Sequence, residues 1–375
     1  MYNYIQAMSD KAAEPGVFSQ ISGDKGSSGA ETGSPRLSGQ EWPDTGLPVK
    51  DAEECIRKAY ESLKDGKAGL AQGFLRRALE IDYEHPIVLL ALKCLNWWLE
   101  KIKRLDDFND PYERGGFILS QWKSYYIFLE RIDAASFQKE ALLPAEAGLP
   151  AEAYDSCQYA IKRFVYSMAL SFFQDLLGDG GNQQDSALLL QTGRCCKGAG
   201  NWEDAHKYLE QAARFKRDDS VILSELADVC ALMGDEKTAK LLFREAFFLD
   251  PQGIDLLGLE SEMIVQLLDK VRDLGYAGPE LAEWIPVWGC IWGIFSVKRE
   301  LKPVELGRLK QSILSLENEF RSKSSNDPQI KPRLLNRYFW LVDHCEMNRD
   351  ISGLMDETML KIKFIDPAVY EHYRT

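Results

Sequence analysis

Helical periodicity runs through most of the chain from Asp51 onward. Ile118, Trp122, Tyr125, Tyr126 and Leu129 recur at steps of three and four, as do Ile161, Phe164, Val165, Met168, Phe172 and Leu176. That spacing lines one face of a helix with 3.6 residues per turn. No run shows the strict alternation of a strand. Pro86, Pro111, Pro144, Pro150, Pro279, Pro303 and Pro332 fall near segment boundaries, where a helix starts or must stop. The pattern predicts about twelve to fourteen helices with short connections. Residues 1–48 differ. Half of the positions from Pro15 to Pro48 are Gly, Ser or Pro, and Val17, Phe18, Ile21 and Trp42 are isolated apolar points. Such a segment cannot bury enough surface to offset its ordering entropy, so a disordered tail is expected.

Within the helical part the sequence repeats. LLQTGRCCKGAGNWEDAHKYLEQAARF, residues 189–215, aligns without gaps to LSELADVCALMGDEKTAKLLFREAFFL, residues 223–249. Leu189 matches Leu223, Gly193 matches Ala227, Cys196 matches Cys230, Gly200 matches Gly234, Ala205 matches Ala239, Leu209 matches Phe243 and Ala212 matches Ala246, each pair 34 residues apart. Gly193 and Ala205, like Ala227 and Ala239, are small enough to let two helices of one unit approach. Gly200 and Gly234 stand where a first helix ends, because a positive φ costs glycine little. Leu209 and Phe243 are expected to fill the space to the next repeat, and Asp250-Pro251 to stop the last helix. Cys196 and Cys230 share one packing position and are expected in the core. A weaker third copy spans about residues 52–85, with Ala59, Gly66, Ala71, Leu75 and Ala78, and FIDP at 364–367 suggests a degenerate fourth ending.

The period and the spacing of small residues resemble the tetratricopeptide repeat (TPR) family. The resemblance implies an all-α, TPR-type helical-hairpin solenoid with a C-terminal helical region. Residues 1–48 would be the tail, 49–183 an N-terminal helical region with a divergent repeat, 184–252 two clear repeats, and 253–375 a C-terminal helical region with a degenerate repeat. In this family the first helix of each pair lines a concave groove that holds a peptide or helix of a partner protein. The matching positions here are Gln191, Arg194 and Lys197 in one repeat and Ser224, Glu225 and Asp228 in the next, with Arg57 and Tyr60 from the weak first copy. Arg194 with Lys197 and Glu225 with Asp228 would form neighbouring patches of opposite sign. These positions do not reproduce the Lys/Asn/Arg clamp with which some chaperone-binding members grip a C-terminal carboxylate. The C-terminal half resembles spirochaete TPR proteins that build the periplasmic flagellar collar, which implies, as an alternative, an assembly component of a bacterial envelope machine.

Composition narrows the function further. The chain has 375 residues, is 45% hydrophobic and 27% charged, and carries a net charge of −13. An acidic surface repels phosphate backbones, so a nucleic-acid partner is not expected. None of the eight cysteines forms a CxxC or zinc spacing, and adjacent Cys195 and Cys196 are poorly placed for a disulfide on a helix. Reduced, buried thiols follow. Met1–Gln6 lead into no basic-then-apolar signal pattern, so a cytoplasmic location is expected, with a periplasmic or envelope-associated one as the alternative. The four histidines are His85, His206, His344 and His372. In Asp343-His344-Cys345 adjacent helical residues point apart, so no dyad is expected. GDGGN at 178–182 lacks the GK[ST] of a phosphate loop and the spacing of a calcium loop. No cofactor or metal and no enzymatic activity are expected; the expected function is a protein-binding scaffold or adaptor.

WIPVWGCIWGIF, residues 284–295, carries no charge. The charge-free run to Val297 is shorter than the roughly 20 residues of a bilayer span. On a helix, Trp284, Trp288, Trp292 and Phe295 would lie along one stripe, and Gly289 and Gly293 along another where a neighbouring helix approaches. A helix apolar all round is buried, so a central helix of the C-terminal bundle is expected. Its tryptophans are a candidate second interface, and interfacial membrane contact is a further alternative.

Overall fold

The computed structural model describes residues 51–140, 151–178, 184–295, 297–298, 300–322, 327–348 and 352–374. The expected tail at 1–48, residues 179–182 of the GDGGN segment, and Pro144 and Pro150 lie outside them. Every regular element among the described residues is a helix. The chain forms two compact units that divide at Asn182, with Gly198–Gly200 counted in the first. No described helix is long and apolar enough to cross a membrane.

The N-terminal unit holds α1 (Ala52–Lys64), α2 (Ala68–Ile81), α3 (Pro86–Ile102), α4 (Pro111–Ser120), α5 (Trp122–Glu140) and α6 (Ala151–Gly178). Two of its helix starts, α1 and α4, are written locally. Asp51 caps α1 by accepting from Glu53 N at 3.1 Å, and Asp110 caps α4 from Tyr112 N at 3.2 Å, with Pro111 next in line. Helix α6 packs against α1, α3 and α4. Gly115 of α4 permits one of these contacts, since a Cβ there would meet the Phe173 ring at 2.5 Å.

The C-terminal unit begins with α7 (Ser186–Gly198), α8 (Trp202–Phe215), α9 (Ser220–Leu232) and α10 (Glu236–Leu249). It continues with α11 (Glu262–Asp273), α12 (Gly278–Ile291), α13 (Pro303–Arg321), α14 (Ile330–Met347), α15 (Ser352–Ile365) and α16 (Pro367–Arg374). There are more helices than the periodicity suggested; Gln121, for example, separates α4 from α5 where Ile118 to Leu129 read as one run.

Three hairpins share one construction. In α1/α2, α7/α8 and α9/α10 the first helix has 13 residues and the second 14. Gly66, Gly200 and Gly234 end the first helices at φ +76°, +81° and +86°. Beyond each glycine a backbone N–H reaches five residues back: Lys67 to Ser62 O at 2.8 Å, Asn201 to Cys196 O at 2.8 Å and Asp235 to Cys230 O at 2.9 Å. This left-handed ending satisfies carbonyls that the helix leaves free. Asp185 and Asp219, 34 residues apart, cap α7 and α9 through Ala187 N at 2.8 Å and Val221 N at 3.0 Å. Ala205, Ala227 and Ala239 are fully buried. A Cβ on Gly193 would lie 2.6 Å from Leu209 Cγ. Leu209 therefore packs against the first helix of its own hairpin. Phe243 packs against Phe247 and Phe295, with ring centroids 6.5 and 6.4 Å away.

The tryptophan stretch is helical only in part. Helix α12 stops at Ile291, and Gly293 at φ +70° turns the chain. Phe295 then folds back, its N–H donating to Gly289 O at 2.8 Å and its ring lying against the bare Gly289 Cα. Gly289 thus makes room for a ring of its own segment, not a neighbouring helix, and Gly293 serves the turn. The burial expectation holds: Trp284 and Trp288 are buried, within a helix that touches α10, α11, α14 and α16.

Candidate functional site

The groove positions of α7 and α9 do come together, in the interior. Lys197 Nζ donates to Glu225 Oε2 at 2.5 Å, to Asp228 Oδ2 at 2.8 Å and to Gly258 O at 2.8 Å. Arg194 Nε donates to Glu225 Oε1 at 2.7 Å. Asp228 accepts the backbone N–H groups of Glu260 at 2.9 Å and Ser261 at 2.8 Å. Lys197 is 4% exposed, Glu225 2% and Asp228 0%. Burial alone would lower the pKa of the Lys197 ammonium, but Asp228 and Glu225 override it and hold it raised. Burial would likewise raise Glu225, but Lys197 and Arg194 keep its carboxyl below the usual range. The opposite-signed patches are neighbours, as the spacing implied. They are spent on each other and on the 258–261 backbone, so Lys197, Glu225 and Asp228 offer no open groove surface. Ser224 is buried too, its hydroxyl bonded back to Val221 O at 3.0 Å, and Gln191 is half-buried.

The first hairpin behaves differently. Arg57 is exposed and Tyr60 half-buried, and both line an open cleft of about 350 Å³ between α1, α3 and α6. Glu53, Arg57, Glu61 and Lys64 present alternating charge along α1, and Ile56, Ile87 and Tyr159 supply apolar surface. Arg57 Nη1 donates to Glu61 Oε1 at 3.0 Å, and the Lys64 ammonium sits 5.8 Å from the Tyr159 ring centroid. The Tyr60 hydroxyl is buried without a hydrogen-bond partner, and burial pushes its pKa up. Arg57 and Tyr60 are the positions that the resemblance of the weak first copy had singled out. Nothing in the sequence announced Ser156 and Tyr159, about a hundred residues downstream, as the opposite wall.

The tryptophans of α12 divide. Trp284 stacks on Tyr276 at 4.6 Å and donates to Glu280 Oε1 at 3.2 Å. Trp288 meets the His372 ring of α16 edge-on at 5.6 Å. Both are buried, so the candidate second interface reduces to Trp292, which is 36% exposed. Cys196 and Cys230, at equivalent repeat positions, are both buried and both pushed up to about 12 by burial. Asp343 pairs with Arg244, and His344 Nδ1 accepts from Leu301 N at 3.0 Å, so the two neighbours serve different segments. No group of three or more His, Cys, Asp and Glu side chains among the described residues could hold a metal ion. The chain matches no protein-family model and no curated protein.

Proposed function

We propose that the protein is a non-enzymatic scaffold of tetratricopeptide type, and that it holds an extended segment of a partner protein in the α1 cleft of its first hairpin. The observation that carries this reading is a contrast between equivalent first helices. On α7 and α9 the charged groove positions are neutralised inside the unit. On α1 they are solvent-facing around an open cleft with apolar walls. A partner peptide with an apolar side chain between charges of both signs suits that surface. The acid–base alternation from Glu53 to Lys64 would favour one direction of the peptide, because reversal sets like charges together.

The decisive variants are Arg57→Glu with Lys64→Glu. Both side chains are peripheral, so the circular dichroism spectrum should not change, and proteins co-purified by the wild type from its native lysate should be lost. Unchanged recovery of the same proteins would remove the α1 cleft from consideration. A swap at Arg194 and Lys197 is uninformative, since it would unfold the buried network whatever the site binds.

A further inference from the structure

A second cleft, of about 280 Å³, opens in the C-terminal unit among α10, α13 and α14. Phe248, Leu249, Leu301, Leu309 and Trp340 form its apolar walls, and Arg337 also lines it. The Arg337 guanidinium lies 3.8 Å from the Phe248 ring centroid, and Nη1 donates to Phe248 O at 2.6 Å. Its Nε is buried without a protein acceptor. The carboxylate that acts on it is Glu283, and that group is already engaged by Arg333 and by Gln252 Nε2. Burial pulls the Arg337 pKa down to about 10 against the pull of Glu283, and Arg333 one turn away adds to the fall. A buried cation is ordinarily matched by an anion. Two cations, Arg308 and Arg337, line this cleft, and Arg337 is the one packed against its apolar wall with no ion pair from any described carboxylate.

The remaining charges limit what can enter. Glu245, Glu305 and Asp218 line other stretches of the cleft, and Glu305 accepts from Lys302 N at 2.9 Å at the start of α13. A second negative charge would meet them. Ligand pockets for small molecules span roughly 300–1,000 Å³, and this cleft of about 280 Å³ lies just below that range, which suits a small ligand.

We propose that the cleft binds a small amphiphilic monocarboxylate of the medium-chain fatty-acid kind. Its carboxylate lies on Arg337 in a charge-assisted hydrogen bond, and its chain lies along Phe248, Leu309 and Trp340.

Isothermal titration of the full chain with decanoate, decanol and decylamine at equal ionic strength tests this. The expected result is saturable one-to-one binding of decanoate, at least tenfold weaker binding of decanol, and none of decylamine. Arg337→Gln should lower decanoate affinity at least tenfold while leaving decanol unchanged. Because that variant also touches the end of α10, Ser312→Trp serves as the second. It fills the cleft from its rim, leaves Arg337 in place, and should abolish binding of both decanoate and decanol. Equal binding of decanoate and decylamine, no saturable decanoate binding, or full decanoate binding by Ser312→Trp would each overturn the proposal. So would a short peptide ending in a free leucine carboxylate that binds where decanoate does not.

Discussion

The two compact units solve the same packing problem with different interiors. The N-terminal unit is filled by thiols and rings. Cys55, Cys94 and Cys157 are buried, and Trp97, Trp98, Trp122, Tyr125 and Phe128 pack ring on ring. One polar chain threads that core: Tyr125 Oη donates to Gln158 Oε1 at 2.8 Å, and Gln158 Nε2 donates to Cys94 Sγ at 3.7 Å. The C-terminal unit buries charge repeatedly, in Lys197–Glu225–Asp228, Arg244–Asp343, Arg333–Glu283 and Tyr338–Glu317. The difference follows the backbone. Local Asp caps occur in both units, at Asp51 and Asp110 in one and at Asp185, Asp219 and Asp235 in the other. The C-terminal unit folds irregular links at 254–261, 292–295, 297–298 and 300–302 against its helices. Their N–H and C=O groups need partners once water is excluded. Asp228 receives the 260 and 261 amides, Arg244 donates to Phe295 O and Val297 O, and His344 receives Leu301 N. At Lys197–Asp228 and Arg244–Asp343 buried charge fixes non-helical chain, whereas Arg333–Glu283 and Tyr338–Glu317 join helix to helix; such charge specifies one arrangement more than it adds net stability.

The largest break in this contrast should come from Lys197→Met. It leaves Asp228 buried without its cation and Glu225 with Arg194 alone, and breaking a buried pair typically costs about 3–5 kcal/mol. Urea unfolding would measure it, and a loss below about 1 kcal/mol would sink the network reading. Adding Asp228→Asn should restore part of the loss, since the charge left without a cation is then removed. The same network gives a pH signature. Asp219, Glu225, Glu317 and Asp366 of the C-terminal unit are all held below the usual carboxylate range. Their contribution is present above their unfolded values near about 4 and is lost as pH falls through the lower folded values. In the N-terminal unit the described carboxyl so shifted is Glu54, on the exposed surface. Acid titration followed by amide exchange should open the C-terminal unit first, and the reverse order would contradict the contrast.

Overpacking comes next. Ala205→Leu and Ala239→Leu intrude where the two helices of a hairpin touch, and Gly289→Ala intrudes on the Phe295 ring; each should cost about 1–3 kcal/mol. Neutral behaviour of both alanine variants would mean that the repeat register is wrong. In the N-terminal unit, Tyr125→Phe removes one buried hydroxyl from the polar chain and should cost about 1 kcal/mol in thermal melts. The smallest effect is of opposite sign. A Cβ on Gly73, inside α2, would meet nothing within 4 Å. Gly73→Ala should therefore stabilise by about 0.4–1 kcal/mol in the same melts, and destabilisation would show that α2 is packed more closely there.

Local rules made much of this protein legible. The 3.6-residue period marks the helices, since each buries one face. The recurrence of Gly66, Gly200 and Gly234 marks the hairpin turns, since only glycine adopts the left-handed ending without strain. Small residues at 193, 205, 227 and 239 mark close helix pairs. Exposure was beyond the reach of those rules. Arg194 and Lys197 read as surface charge because Lys and Arg usually are, and only the arrival of Glu225, Asp228 and the 258–261 backbone made them interior. The end of α12 went the same way: twelve uncharged residues read as one helix until Phe295 folded back onto Gly289. Arg337 is an ordinary helical arginine in the sequence, and it borders a cleft because α10 and α13 pack beside it. Helix propensity, caps and turns depend on residues a few positions apart and are written in the chain. Burial of a charge depends on groups tens of residues away, and the tertiary structure alone decides which of them meet.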